Sequence, residues 1–153
     1  MIRITIQEKD FSLEQEVNLL RNGRVDIGAI ASFIGLVRDI NEGDDVSQLT
    51  LEHYPGMTEN QINKIAIEAE SRWPLQAITI IHRVGTLAPG DQIVLVITAS
   101  SHRAAAYEAN EFIMDYLKTR ATFWKKETLD NRSRWVEGRP ADNAAADRWK
   151  KPA

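Results

Sequence analysis

The sequence predicts an α+β domain with a mixed, largely antiparallel sheet and three main helices. Segments of period-two hydrophobicity are interleaved with segments of period 3.6. The two strongest strand candidates, 76–84 (QAITIIHRV) and 92–99 (QIVLVITA), lie on either side of an APGD turn at 88–91. The connection over 85–91 is too short for the crossover a parallel pair needs, so at least this part of the sheet is antiparallel.

Residues 2–6 (IRITI) alternate as a strand does, and Ser12 with Gln15 has capping-box spacing for a short helix that Gly23 can end. Residues 26–37 (DIGAIASFIGLV) are apolar and β-branched with two glycines, which suggests a long, bent strand. An acidic loop, NEGDDVS at 41–47, leads to a strand at 48–54 (QLTLEHY) and a PG turn. Thr58 with Gln61 is expected to open a second helix, with Ile62, Ile65, Ala66 and Ala69 on its apolar face and Pro74 closing it. The longest helix is expected over about 101–120, capped by Ser100 or Ser101, with Ala105, Ala109, Phe112, Ile113, Tyr116 and Leu117 on its stripe. FWKKETL and SRWVE read as two short closing strands. Residues 1–139 form the single expected domain, and the alanine-rich segment 140–153 is expected to be a weakly ordered tail.

A chain of 153 residues is long enough for one self-sufficient core. It has no cysteine, which excludes disulfides, thiolate metal sites and cysteine nucleophiles. No apolar run approaches the ~18 residues that cross a bilayer, and the first residues lack a signal-peptide core, so a cytoplasmic protein without membrane attachment is expected. Net charge is −3, but residues 1–100 hold 8 Lys and Arg against 14 Asp and Glu, and 101–153 hold 11 against 8. The last third is the place to meet an anion.

Neither GxGxxG nor GxxxxGK[ST] occurs, which removes the common nucleotide loops. His53, His82 and His102 are far apart without metal-ligand spacing, so no metal site is expected, and His53 and His82 read as structural residues in strands. His102 and Arg103 begin the long helix, where open N–H groups and the helix dipole favour an anion; a pairing of Arg103 with Glu108 or a loop carboxylate explains it equally well. Lys118 sits at the other end, where the dipole alone accounts for a cation. On the following strand Lys125 and Lys126 point to opposite faces, and Phe123 shares the side of Lys125. Burial beside a second cation would make Lys125 a usable acid, base or nucleophile, but local pattern favours a plain basic edge strand. Arg38, Trp135 and Arg139 remain ambiguous on spacing alone. Arg103 and Lys118 are 15 residues apart, about 22 Å along a straight helix, so one small ligand reaches both only across two copies of the chain. Nucleic-acid binding is not expected from a net-acidic chain whose aromatics do not interleave a basic stripe.

Six ordered blocks, FIGLVRD (33–39), LEHYPGM (51–57), IHRVGTLAPGD (81–91), SSHRAAAYEA (100–109), DYLKTRATFWKKE (115–127) and RWVEGR (134–139), closely resemble the large, catalytic subunit of molybdopterin synthase. The likeness spans about residues 27–149. It implies an α/β-hammerhead fold and a homodimer at the centre of a heterotetramer. The implied partner is a small ubiquitin-like sulfur-carrier subunit ending in a Gly-Gly thiocarboxylate. The implied reaction is transfer of two sulfurs to cyclic pyranopterin monophosphate, giving the molybdopterin dithiolene with no cofactor of the chain's own. Carried over by position, the catalytic lysines are Lys118 and Lys125, and Lys126 and Glu127 lie beside the second. Arg38, His102, Arg103 and Arg139 are the implied substrate-binding groups. Two positions depart from the family: Thr122 stands where proline is usual, which predicts a less rigid turn, and Leu36 where a basic residue is usual, which predicts weaker substrate binding. The alternative is a non-catalytic homologue that binds the small subunit or another protein tail without turnover.

Overall fold

In the computed structural model, which describes residues 1–130, 132–136 and 140–150, helices and strands are interleaved around two four-stranded sheets. In chain order the elements are β1 (Ile2–Gln7), α1 (Leu13–Arg21), β2 (Ala29–Leu36), β3 (Ile40–Asn41), β4 (Asp44–Asp45), β5 (Gln48–His53), α2 (Met57–Arg72), β6 (Leu75–Arg83), β7 (Gly85–Leu87), β8 (Gln92–Ser100), α3 (Arg103–Arg120), β9 (Phe123–Thr128), β10 (Ser133–Val136) and α4 (Pro140–Asp147), then a 3-10 turn at Arg148–Lys150.

The first sheet has the order β1-β6-β8-β2, parallel between β1 and β6 and antiparallel elsewhere. Period two splits its central strands cleanly. Ile78 and Ile80 of β6, with Val94 and Val96 of β8, pack on one face against Ile62, Ile65, Ala66 and Ala69 of α2 and Phe112, Ile113, Tyr116 and Leu117 of α3. Ala77, Ile81, Leu95, Ile97 and Ala99 pack on the other face with Phe11 and Leu20. Sandwiching on both sides explains why 76–84 and 92–99 read as continuous apolar runs. The second sheet, β10-β9-β5-β7, is wholly antiparallel and encloses a smaller core of Val37, Leu49, Leu51 and Leu87.

The α+β architecture with mixed strands matches the expectation, as do the α1 cap, where the Gln15 N–H donates to Ser12 Oγ at 3.3 Å, and Gly23 beyond its end at φ 70°. Two helix starts differ. α2 begins after Gly56, whose φ of 87° suits glycine, and Glu59 accepts the Gly56 N–H at 3.0 Å. Thr58 is instead fully buried inside the first turn, accepting from the Tyr54 N–H at 3.0 Å and donating to the Thr122 carbonyl at 2.9 Å. α3 is capped at His102, without a side-chain bond. The two serines expected to cap it are committed elsewhere: Ser100 donates to the Pro74 carbonyl at 2.9 Å, and Ser101 accepts from Gln76 at 2.7 Å.

The tail expected to be weakly ordered forms α4 and the 3-10 turn, packed on α3 over its described part. Ala146 is buried, Trp149 meets Phe112 and Trp73 edge-on, and its indole N–H donates to Asp115 at 2.7 Å. Its order comes from these tertiary contacts, which an alanine-rich composition does not announce. Among the described residues no helix is long and apolar enough to cross a membrane.

Gly28 lets β2 approach the start of α3. Its N–H donates to the Ser100 carbonyl at 3.0 Å, and a Cβ there would stand 2.1 Å from the Ser101 carbonyl oxygen. Gly28→Ala therefore lowers stability by about 1–3 kcal/mol in denaturant unfolding, because backbone must move to admit the methyl. An unchanged midpoint would contradict the close approach.

Candidate active site

The segment from Lys118 to Glu127 is a helix end, a two-residue turn and a strand. Helix α3 ends at Arg120, and Ala121 already has extended dihedrals. Thr122 is clamped from both sides of its peptide: its N–H donates to Gln61 Oε1 at 2.7 Å and its carbonyl accepts from Thr58. A proline here could not make the first bond, so the expected loosening of the turn is countered by a hydrogen bond that only a residue with an N–H supplies. The clamp also fixes where β9 starts, and with it the face each lysine takes.

β9 pairs with β5 so that Phe123 lies opposite His53, Lys125 opposite Leu51 and Glu127 opposite Leu49. Phe123, Lys125 and Glu127 share the inner face, where Leu51 and Glu127 are buried and Lys125 is half-buried. Lys118, exposed in the last turn of α3, is near enough to bear on Lys125 directly. The Lys125 ammonium is pushed down to about 8, first by burial and then by the charge of Lys118, with Asp142 and Glu127 pulling the other way. Basicity of this kind puts proton exchange within reach of neutral solution.

His82 completes the cluster. Its position on β6 follows Ile78 and Ile80 by period two, so the ring enters the helix-covered face, where it is 7% exposed. It stacks on Phe123 with ring centres 3.8 Å apart and planes 16° apart, and its Nδ1 is 2.8 Å from the Arg83 carbonyl, to which it donates. Burial, then Lys125, Lys118 and His53, push the imidazole down to about 3, so it is neutral at physiological pH and adds no third cation. The sequence places His53 and His82 in strands as structural residues. Their nearness to Phe123 depends on the β5–β9 pairing and on the packing of two sheets, for which no local pattern exists.

The other expected site residues are distributed differently. Lys126 is on the outer face, its Nζ 6.0 Å from the Trp135 ring centre. Glu127 is on the face of Lys125 but is held by Arg134, whose Nε donates to it at 3.0 Å while Nη1 reaches Asp44 at 2.8 Å and Nη2 the Asn41 carbonyl at 3.1 Å. That arginine ties β9, β10 and the β3–β4 hairpin together, a role for which its place in the sequence carries no signal. Arg38 is exposed just beyond β2, in a shallow groove with Val37, Asp39, Ile40, Pro89 and Gly90. His102 and Arg103 are exposed at the far end of α3, about 22 Å from Lys118 by helix rise. The pairing of Arg103 with Glu108 does not form, since Glu108 accepts the Trp73 indole N–H at 2.8 Å. Arg139 lies outside the described residues. Among the described residues no group of three or more His, Asp or Glu is placed to hold a metal.

A family model described as "MoaE protein" matches residues 6–120. The chain belongs to the MoaE family. The molybdopterin synthase catalytic subunit of Pseudomonas aeruginosa is 55% identical over 146 residues, covering 95% of this chain and 97% of that protein. Among solved structures, the molybdopterin biosynthesis MoaE protein from Burkholderia ambifaria superposes with a TM-score of 0.85 at 52% identity, covering 99% of this chain and 100% of that one. The molybdopterin synthase of Staphylococcus aureus gives 0.80 at 32% identity, covering 86% and 95%. The fold expected from the resemblance is thus the fold of solved MoaE family members. MoaE relatives of this kind are the catalytic subunits of a sulfur-transferring enzyme in molybdenum cofactor biosynthesis, and catalysis of that class follows for this chain from its membership.

Proposed function

We propose that Lys118 and Lys125 receive the thiocarboxylate tail of a small ubiquitin-like sulfur-carrier subunit and direct its sulfur onto cyclic pyranopterin monophosphate, twice, to form the molybdopterin dithiolene. The observation that carries this reading is the half-buried Lys125 beside Lys118, backed by a neutral histidine stack. In each round the thiocarboxylate sulfur bonds to a side-chain carbon of the pterin as a carbon–oxygen bond there breaks, giving an acyl-sulfur link to the tail: in one round the oxygen leaves with the phosphate and opens the cyclic ester, and in the other the carbonyl-level oxygen leaves as water. Water then attacks the acyl carbon, the carbon–sulfur bond to the tail breaks, and the tail leaves as a carboxylate while sulfur stays on the pterin. Lys118 offsets the charge of the oxyanion in that hydrolysis, and Lys125, titrating near 8, carries the proton.

Arg38 of the same chain and His102 and Arg103 of a second copy hold the substrate phosphate, since one helix cannot bring both of its ends to one small ligand. This makes the working unit a homodimer with one small subunit bound to each copy, acting in the cytoplasm. Glu127 positions Lys125 by holding β9 through Arg134, Lys126 is assigned to the rim rather than to the reacting atoms, and Arg139 is assigned to the anionic substrate on the resemblance alone. The test is a single turnover with thiocarboxylated small subunit and pterin precursor. The Lys118→Ala, Lys125→Ala double variant is expected to form essentially no product, and full product formation by it would overturn the assignment.

A further inference from the structure

The β3–β4 hairpin has two residues in each strand, and its turn uses Glu42 at φ 53° and Gly43 at φ 81°. So short a ladder buries too little to hold its own place, so the position of the hairpin is set by what grips it. Its base is tied to the second sheet: the Ser47 N–H and hydroxyl both donate to the Thr128 carbonyl at 2.8 Å, and Val46 is buried. Its tip is gripped from β10. Arg134 places one nitrogen on each of three acceptors, Nε on Glu127 at 3.0 Å, Nη1 on Asp44 at 2.8 Å and Nη2 on the Asn41 carbonyl at 3.1 Å. Among the described residues the one other distant side chain that reaches the tip is Arg132, an exposed cation 3.6 Å from Asp44.

Asn41 joins this grip to Arg38. Its carbonyl accepts from Arg134, and its side-chain oxygen accepts from Arg38 Nη2 at 3.5 Å. The groove of Arg38 has two walls of different origin. The wall at Pro89 and Gly90 is fixed by backbone, since the Gly90 N–H donates to the Val37 carbonyl at 2.7 Å and the Val37 N–H to the Asp91 carbonyl at 2.9 Å. The wall at Ile40 is the hairpin itself. At the other end of the grip Glu127 is buried, two positions beyond Lys125 on the same face of β9. A continuous run of polar contacts, Glu127 to Arg134 to Asn41 to Arg38, therefore links the lysine strand to the exposed arginine.

We propose that Arg134 is a positioning residue for sulfur transfer, holding the hairpin, and through it Arg38, in fixed register with the strand that carries Lys125. The substrate is anionic at one end and reacts at carbons beside that end, so the cation that holds it and the lysine that serves it must keep one spacing through both rounds. A guanidinium suits this task because its planar fork meets three acceptors at once. An ammonium keeps the attraction to Glu127 and loses the span. Neutralising a buried Glu127 needs only the Nε bond; the bonds to Asp44 and Asn41 are what turn an ion pair into a link between two parts of the site. The inference rests on the places given above to Arg38 and Lys125.

Single-turnover transfer over a range of pterin precursor concentrations, with saturating thiocarboxylated small subunit, separates half-saturation from limiting rate. Asp44→Ala cuts the hairpin end of the fork and leaves the bond to Glu127. It is expected to raise the half-saturating concentration about tenfold while lowering the limiting rate by less than about threefold, and Arg134→Lys to show the same split. Arg38→Ala is expected to raise half-saturation at least as much, and adding Arg134→Lys to it to raise it no further, because the effect passes through Arg38. Amide hydrogen exchange supplies a readout without substrate: in Arg134→Lys exchange over 40–46 is expected to quicken about tenfold while that over 125–128 holds. Equal losses in half-saturation and limiting rate together with a lower unfolding midpoint would make Arg134 a structural tie and overturn the proposal. Full additivity with Arg38→Ala, or unchanged exchange over the hairpin, would overturn it as well. If Arg38→Ala weakens pterin saturation and neither Asp44→Ala nor Arg134→Lys does, the coupling alone is wrong. If Arg38→Ala leaves saturation unchanged, the place given to Arg38 is wrong and the coupling goes with it.

Discussion

Alanine at Lys125 lowers the rate of single-turnover sulfur transfer by about 10²–10⁴-fold, the usual range for loss of a positioned proton carrier. Arginine at the same position separates charge from proton exchange, because a guanidinium stays protonated throughout the accessible range. The unmodified enzyme is expected to lose rate as pH rises through about 8, where the Lys125 ammonium gives up its proton. Lys125→Arg loses that limb of the profile as well as most of the rate. In Lys118→Ala one of the causes that depress Lys125 is gone, so the inflection moves to higher pH. Rapid quench of pterin product at a series of pH values reads all three. A profile with the same inflection in Lys125→Arg would assign the titration to another group.

The same depression acts on stability with a definite sign. The unfolded chain binds the Lys125 proton more tightly than the folded one, so between about 8 and the ordinary lysine value of 10.5 the unfolded state holds more protons and stability rises with pH. Below about 8 the folded protein carries a half-buried ammonium against its preference. Lys125→Met should therefore gain stability at neutral pH while losing activity, the trade expected where a residue is kept for chemistry rather than for folding.

Parity along FWKK made one part of this site legible from sequence: it put Lys125 with Phe123 and turned Lys126 away, as the strand does. The apolar stripes of α2 and α3 were legible for the same reason, since burial follows a helical period when one face meets a sheet. Sequence was silent where a tertiary partner decides. Ser100 and Ser101 are good capping residues, but Pro74 and Gln76 claim their hydroxyls, and His102 takes the cap. His82 was legible as a strand residue and not as the stacked wall behind Lys125, because the β6–β9 approach has no local signature. Nothing in the spacing around Arg134 points to its role, which comes from the hairpin residues Asn41 and Asp44 that it binds. The tail failed for a related reason: alanines carry little signal of their own, and the order of α4 comes from Trp149 docking on aromatics more than 30 residues away.

Phe112→Ala is expected to cost about 3–5 kcal/mol, measured by denaturant unfolding. The ring is fully buried, edge-on to Tyr116 at 4.6 Å, Trp73 at 5.2 Å and Trp149 at 5.6 Å, with the Arg72 guanidinium 4.8 Å from its centre. Three aromatic edges meet on it, so no single neighbour can collapse into the space without abandoning another contact. Trp149 is the neighbour best able to leave, because it is only partly buried and belongs to the terminal 3-10 turn. Its departure would loosen α4, and with α4 goes Asp142, one of the two carboxylates that raise the basicity of Lys125. Trp149→Ala should accordingly cost less stability than Phe112→Ala yet shift the Lys125 inflection to lower pH, an effect that a tail without influence on the site could not have. If Trp149→Ala left that inflection in place, α4 would be reduced to a cover for the core. If Phe112→Ala cost under about 1 kcal/mol, the aromatic cluster would not be what holds α2, α3 and α4 together.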